Sequence, residues 1–216
     1  MADEEATAAP IPDMKKWKLF AIVSLLSLIA DQATKIWARH ALPIDCGPHG
    51  DGNLGVVDAL VQRKCIGKAV GVIDGFWDWR LSMNPGSAFG LFSGTGSFGR
   101  IMLSIVGIAA VAGMIWMLRK ARPDQRVLHW ALAFVAGGAV GNLIDRIYFG
   151  VVTDFVLWRY KTKEWPVFNI ADVVLVVGVG LMFIDIQKEG KREKAAKKAR
   201  QEKAKQAGLV KDLEKK

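Results

Sequence analysis

Three aspartates stand in short polar clusters at the edges of two strongly apolar segments. Asp145 closes Gly141-Asn142-Leu143-Ile144-Asp145-Arg146, Asp154 lies in Val152-Thr153-Asp154-Phe155, and Asp172 ends Phe168-Asn169-Ile170-Ala171-Asp172. Carboxylates are costly at or near hydrocarbon, so ionisable residues there are candidate functional groups by default. Two carboxylates brought together can divide the work of hydrolysis: one, ionised, takes a proton from water, and the other, protonated, polarises a carbonyl. Asp154 and Asp172 are the candidate pair, with Asn142, Asp145, Arg146 and Asn169 holding them or the substrate. No Ser or Cys has a His partner nearby, which argues against a nucleophilic triad. His40, His49, His129, Cys46 and Cys65 show no metal-ligand spacing, so the expected metal set is none.

Helical spacing brings these residues onto common faces. Gly138, Gly141, Asn142 and Asp145 fall at i, i+3, i+4 and i+7. Gly137-x-x-x-Gly141 is also a small-residue packing pattern. Close helix packing accounts for the glycines but not for Asn142, Asp145 and Arg146. Asn169 and Asp172 repeat an i, i+3 arrangement; an Asp in a first helical turn also complements the helix dipole. Asp31 and Lys35, four residues apart, can pair on one helix face. A purely structural ion pair and a functional one are equally open for them.

The elements that must position these groups are membrane spans. A helix needs about twenty mostly apolar residues to cross a bilayer, and lipid leaves no alternative to internal backbone hydrogen bonding. The 216-residue chain is 51% hydrophobic. Its apolar residues fall into four blocks: Leu19–Trp37, Ile101–Leu118, Leu128–Phe149 and Ile170–Ile186. A secretory signal reading of the first block is outweighed by its continuation through Asp31–Trp37 and by the three later spans.

Of the net charge of +9, +7 resides in residues 188–216. That run has no aromatic residue for stacking on bases; it predicts a solvated, partly helical tail along an anionic membrane surface and no nucleic-acid partner. Lys15, Lys16 and Lys18 precede the first span, and Arg119, Lys120, Arg122 and Arg126 fill the second link. With the basic tail they place both termini in the cytoplasm. Arg159, Lys161 and Lys163 on the other side are outnumbered. The loop 41–97 and the connection 150–168 then lie outside, with all three aspartates at the outer leaflet.

The expected fold class is membrane all-α: four transmembrane helices with a small extracytoplasmic β element in the first outer loop. A disordered cytoplasmic leader (1–16) precedes the membrane domain (17–187), and the basic tail (188–216) follows it. Residues 72–92 mix β-formers with turn signals and predict a hairpin. Trp77, Trp79, Phe89 and Phe92 suit a membrane interface, and the Gly-rich stretch 47–55 reads as flexible. Cys46 and Cys65 share this loop, either as a disulfide or as free thiols.

Five motifs in order give the chain a family resemblance. They are Asp31-Gln-x-Thr-Lys35, Asn84-x-Gly86-x-Ala88-Phe89, Gly138-x-x-Gly141-Asn142-x-x-Asp145-Arg146, Val152-x-Asp154-Phe155 and Phe168-Asn169-x-Ala171-Asp172. Over about residues 17–187 the chain resembles the lipoprotein signal peptidases (signal peptidase II), aspartic peptidases of the bacterial cytoplasmic membrane. The resemblance implies that Asp154 and Asp172 are catalytic and no cofactor is needed. The substrate would be a prolipoprotein cut on the amino side of its diacylglyceryl-modified cysteine. Asn84, Gly86, Asn142, Arg146 and Asn169 would line the groove for substrate or globomycin-like inhibitors. Asp31, Lys35, Gly138, Gly141, Asp145 and Ala171 would support it. Two features depart from the pattern: an insertion at about 44–70, carrying both cysteines, and the long tail. Pro85 stands where the motif usually has Thr. The rival reading is a small proton-coupled carrier using Asp31, Asp145, Asp154 and Asp172 as a relay, but three of those four gather at one face. A purely structural membrane protein fits the polar constellation poorly.

Overall fold

All four apolar blocks are helices in the computed structural model, which describes residues 14–47, 54–86 and 96–213. The long helices are α1 (Met14–Ala41), α3 (Gly96–Lys120), α4 (Arg126–Tyr148) and α5 (Ile170–Leu213), and α2 (Val56–Val61) is a short one between the first two. Helices α1, α3 and α5 run past their apolar blocks, because helical backbone stays hydrogen-bonded past the hydrocarbon boundary, while α4 starts two residues early and is capped at Phe149. All four are long and apolar enough to cross a membrane. At 44 residues α5 measures about 66 Å, so the basic segment continues the span as one helix through Leu213. Its Lys, Glu, Ala and Arg residues are strong helix formers and no proline interrupts them.

Helix α4 is the hub, packed against α1, α3 and α5. Small residues permit the approach. A Cβ on Gly138 would come 2.7 Å from the Ala171 carbonyl oxygen of α5, and one on Gly137 would come 2.8 Å from the Ser24 carbonyl oxygen of α1. The outward faces carry exposed Ile22, Leu25, Ile105, Val106, Val176 and Phe183, which suit a lipid solvent. At one end of the bundle Lys16 Nζ donates to the carbonyls of Ala121 (2.7 Å) and Arg119 (3.3 Å). There Arg122 pairs with Glu189 and Arg192 with Asp124, each at 2.6 Å. The basic segments at the start of α1, between α3 and α4, and along α5 therefore meet at a single end.

The other end carries a four-stranded antiparallel sheet in the order β3 (Val70–Ile73), β4 (Trp77–Asn84), β5 (Val152–Tyr160) and β6 (Lys163–Glu164). Strands β3 and β4 form the expected hairpin, but β5 and β6 come from the connection between α4 and α5. The β element is thus not confined to the first loop. Residues 151–157 are all buried, and a strand buried on both faces lacks the alternation that marks one in sequence. Trp79 opposes Val156 and Ser82 opposes Asp154, so β4 carries one extra residue there, a β-bulge at Arg80–Leu81.

The insertion forms a small lobe. Strands β1 (Ile44–Asp45) and β2 (Ile66–Gly67) pair antiparallel, and Cys46 and Cys65 are joined by a disulfide. Ile44, Val56 and Leu60 pack on a core of Ala38, Leu42, Leu81, Phe155 and Val156. Trp77 and Trp79 join this core, with Trp37 edge-on to both Trp79 and Phe155. Exposed rings on and beside the sheet include instead Phe76, Trp158, Tyr160 and Trp165. Phe89, Phe92, the glycines at 50 and 52 and most of the leader lie outside the described residues.

Candidate active site

Asn169 precedes α5 and Asp172 lies in its first turn, in a reciprocal cap. The Asn169 N–H donates to Asp172 Oδ2 at 3.2 Å, and the Asp172 N–H donates to Asn169 Oδ1 at 3.0 Å. This satisfies two helix-end groups and fixes both side chains. The Asn169 amide then points sideways, donating to Asp154 Oδ1 at 2.7 Å and towards Asn142 Oδ1 and the Thr153 carbonyl at 3.2 and 3.3 Å. One residue therefore links both candidate catalytic carboxylates, one on a strand and one on a helix.

Asp154 is held from its other side by β4. Asn84 Nδ2 donates to Asp154 Oδ2 at 3.1 Å, while Asn84 Oδ1 accepts the Gly86 N–H at 3.0 Å. Arg146, one turn below Asn142 on α4, reaches the Gly86 carbonyl at 3.2 Å and the Asn142 carbonyl at 3.3 Å. Asp154 is only 2% exposed. Burial, and then the neighbouring Asp172 charge, push its carboxyl up to about 7, against the opposing pull of Asn84, Asn169 and Lys35.

Beneath this pair lies a buried ionic network. Lys35 Nζ contacts Asp31 at 2.9 Å, Asn142 Oδ1 at 2.8 Å and Asp145 at 3.7 Å. Asn142 in turn donates to Asp172 Oδ1 at 3.0 Å. Asp31 accepts the Ala171 N–H at 2.9 Å, and Asp145 accepts the Thr153 N–H at 2.8 Å. Asp31, Lys35, Asp145, Asn169 and Ala171 are all fully buried. Buried charges persist only when paired and hydrogen-bonded, and here the partners come from α1, α4, β5 and α5. A Cβ on Gly141 would run into the Asp31 carboxylate, and Gly138 brings α5 close. Both glycines are thus needed by the network.

The sequence-derived site residues gather here, apart from Ala88 and Phe89, which lie outside the described residues. Asp31, Lys35 and Asp145 sit in the supporting network, while Asn84, Asn142 and Asn169 touch the carboxylates. Two participants were missed. Arg39 donates to Thr153 Oγ1 at 2.8 Å and lies 3.8 Å from Asp145. Its place one turn beyond Lys35 on the same face of α1 was the available signal. Thr153 acts through backbone and hydroxyl, which no spacing reveals. Asp185 is buried at the opposite end, where Gln125 donates to it at 3.3 Å.

This arrangement can orient two carboxylates and hold one of them protonated near neutral pH. A family model described as signal peptidase (SPase) II matches residues 23–188. A lipoprotein signal peptidase of Geobacter metallireducens is 33% identical over 177 residues, covering 82% of this chain and 95% of that one. One from Rhodopseudomonas palustris is 35% identical over 173 residues, covering 78% and 91%. A solved structure of a bacterial membrane enzyme superposes with a TM-score of 0.64 at 25% identity, covering 80% of this chain and 90% of that one. The five ordered motifs, the four spans and these matches agree: the chain belongs to the signal peptidase II family of multi-pass bacterial membrane proteases.

Proposed function

We propose that this protein is an aspartic endopeptidase that releases signal peptides from diacylglyceryl-modified prolipoproteins, with Asp154 and Asp172 as its catalytic residues. The observation carrying this reading is the pair itself. Two carboxylates from different elements are tied through Asn169, one deeply buried with its carboxyl pushed up to about 7, the other half-exposed at a helix N-terminus. In this reading Asp172 is ionised and removes a proton from the attacking water. Asp154 is protonated and donates to the scissile carbonyl oxygen, stabilising the tetrahedral oxyanion. On collapse the C–N bond breaks as Asp172 passes the proton taken from water to the leaving amine and Asp154 recovers its own from the tetrahedral hydroxyl, which becomes the carboxyl carbonyl.

Asn84, Gly86, Asn142 and Arg146 border the pair and hold the substrate backbone, as they would a globomycin-like inhibitor. The site lies at the outer leaflet of the cytoplasmic membrane, with both termini inside. The clustering of basic residues at the opposite end supports this orientation. A substrate anchored by its diacylglyceryl group meets the pair at fixed depth, which removes part of the entropic barrier.

The test is cleavage of a lipidated precursor peptide by the purified protein in detergent. Asp154→Asn and Asp172→Asn should each abolish turnover while the protein still folds and unfolds in one cooperative transition. Full turnover in either variant overturns the assignment. The carrier reading is not favoured: Asp31, Asp145, Asp154 and Asp172 gather around Lys35, Asn142 and Asn169 instead of spreading across the membrane depth, and the relatives are named as lipoprotein signal peptidases.

A further inference from the structure

The disulfide lobe touches the active-site sheet at one particular place. Gly67 of β2 lies so close to Leu81 of β4 that a Cβ there would overlap the Leu81 carbonyl. Leu81 belongs to the β4 bulge. The bulge decides which way Asn84 faces. Counting back from Trp79 opposite Val156, a regular antiparallel ladder would set Leu81 opposite Asp154 and turn Asn84 to the other face. The extra residue instead sets Ser82 opposite Asp154. Asn84, two residues on, then shares the face of Asp154 and bonds to it.

We infer that the lobe closed by Cys46–Cys65 is a positioning clamp: it fixes the β4 bulge through Gly67, and so holds Asn84 on Asp154. The lobe's grip has two parts. Ile44, Val56 and Leu60 pack on the Leu81–Phe155 core, and the β1–β2 pair carries Gly67 to the Leu81 peptide. The disulfide joins the residue after β1 to the residue before β2, so reduction frees the two-residue strands at the point of contact. Residue pairs this short hold register weakly on their own. The activity of this chain is therefore sensitive to thiol reduction, although neither cysteine touches the carboxylates. This inference rests on the proposed roles of Asp154 and Asn84.

The experiment compares the oxidised protein, the protein reduced with a phosphine in detergent, and the variants Cys46→Ser/Cys65→Ser and Gly67→Ala. Turnover of a lipidated precursor peptide is followed across pH. Asp154 faces Asp172 of α5, Lys35 of α1 and Arg146 of α4, besides the amides of Asn84 and Asn169. Of these only Asn84 is on β4, so releasing the bulge removes one stabiliser of the ionised carboxylate. Expected are a fall in kcat of about tenfold with KM little changed, an alkaline limb moved to higher pH, and faster amide exchange at Leu81–Asn84. Reoxidation restores wild-type behaviour and leaves the serine variant unchanged. Reduced protein with two titratable thiols, unaltered kcat, an unmoved alkaline limb and unchanged exchange overturns the clamp, even where Gly67→Ala does not fold. Asp154→Asn serves as control: full activity there indicts the catalytic assignment, while the exchange measurement still reports on the clamp.

Discussion

Asn169 donates its side-chain amide to Asp154 at 2.7 Å and, through its backbone N–H, holds Asp172 at 3.2 Å. A strand carboxylate and a helix carboxylate thus share one rigid spacer. The spacer is itself fully buried and its side-chain oxygen Oδ1 is occupied by the Asp172 N–H. Its rotamer cannot change without breaking contacts on both sides.

Asn169→Ala should therefore lower kcat on the order of a hundredfold, comparable to losing one preorganised donor, with a smaller change in KM. Steady-state kinetics on a lipidated peptide checks this. Asn169→Asp, which sets a third carboxyl beside the pair, should be at least as harmful.

The raised Asp154 carboxyl predicts two pH effects. If the protonated form is the working acid, kcat/KM falls as pH rises through about 7. The same group acts on stability with a definite sign. Its folded value lies above its unfolded one, so the stability it confers is full below about pH 4 and is lost as pH rises through about 7. Asp154→Asn removes that loss and should raise the melting temperature at pH 8 by on the order of 2–4 °C, with little gain at pH 5. Thermal scans of both proteins at the two pH values decide it.

Lys35 is fully buried among Asp31, Asp145 and Asn142. Lys35→Ala leaves buried Asp31 without its cation, while Asp145 keeps Arg39 at 3.8 Å, and should destabilise the protein by about 3–5 kcal/mol. Asp31→Asn/Lys35→Met together should cost less than Lys35→Ala alone, because no unpaired charge remains. Thermal unfolding in detergent measures the difference.

Gly138→Ala would force its Cβ to within 2.7 Å of the Ala171 carbonyl and 2.8 Å of Leu175. Backbone cannot yield as a side-chain tip does, so α4 and α5 must part. A loss of about 1–3 kcal/mol is expected, with activity falling too because Asn142 and Asp172 sit on those two helices. Gly180→Ala, which meets nothing within 4 Å, is the matched control and should be neutral.

Residues 195–205 of α5 are exposed, beyond the Arg192 contacts with Asp124 and Glu189. A chain ending at Lys194 should keep kcat/KM within about twofold of the full protein, as changes away from packed features usually do. A larger loss would assign the tail a part in turnover.

Much of this protein is legible in its residues taken one after another. Spans are readable because hydrocarbon demands long apolar helices, and Asp31, Lys35, Asn142, Asp145, Asn169 and Asp172 stand out because polar groups there need a reason. Helical periodicity even puts Asn142 and Asp145 on one face. Strand β5 is not readable, since a run buried on both sides carries no alternation, and so the sheet's reach across two connections stayed hidden. Trp77 and Trp79 look interfacial by type, yet they close the core against Trp37 and Phe155. The partners of each charge also needed the fold: Arg39 and Thr153 join the network through contacts more than a hundred residues apart. Composition and local spacing determine which groups must be buried. Only tertiary structure decides which buried group answers which, because a hydrogen bond depends on ångström distances between elements that sequence separation does not encode.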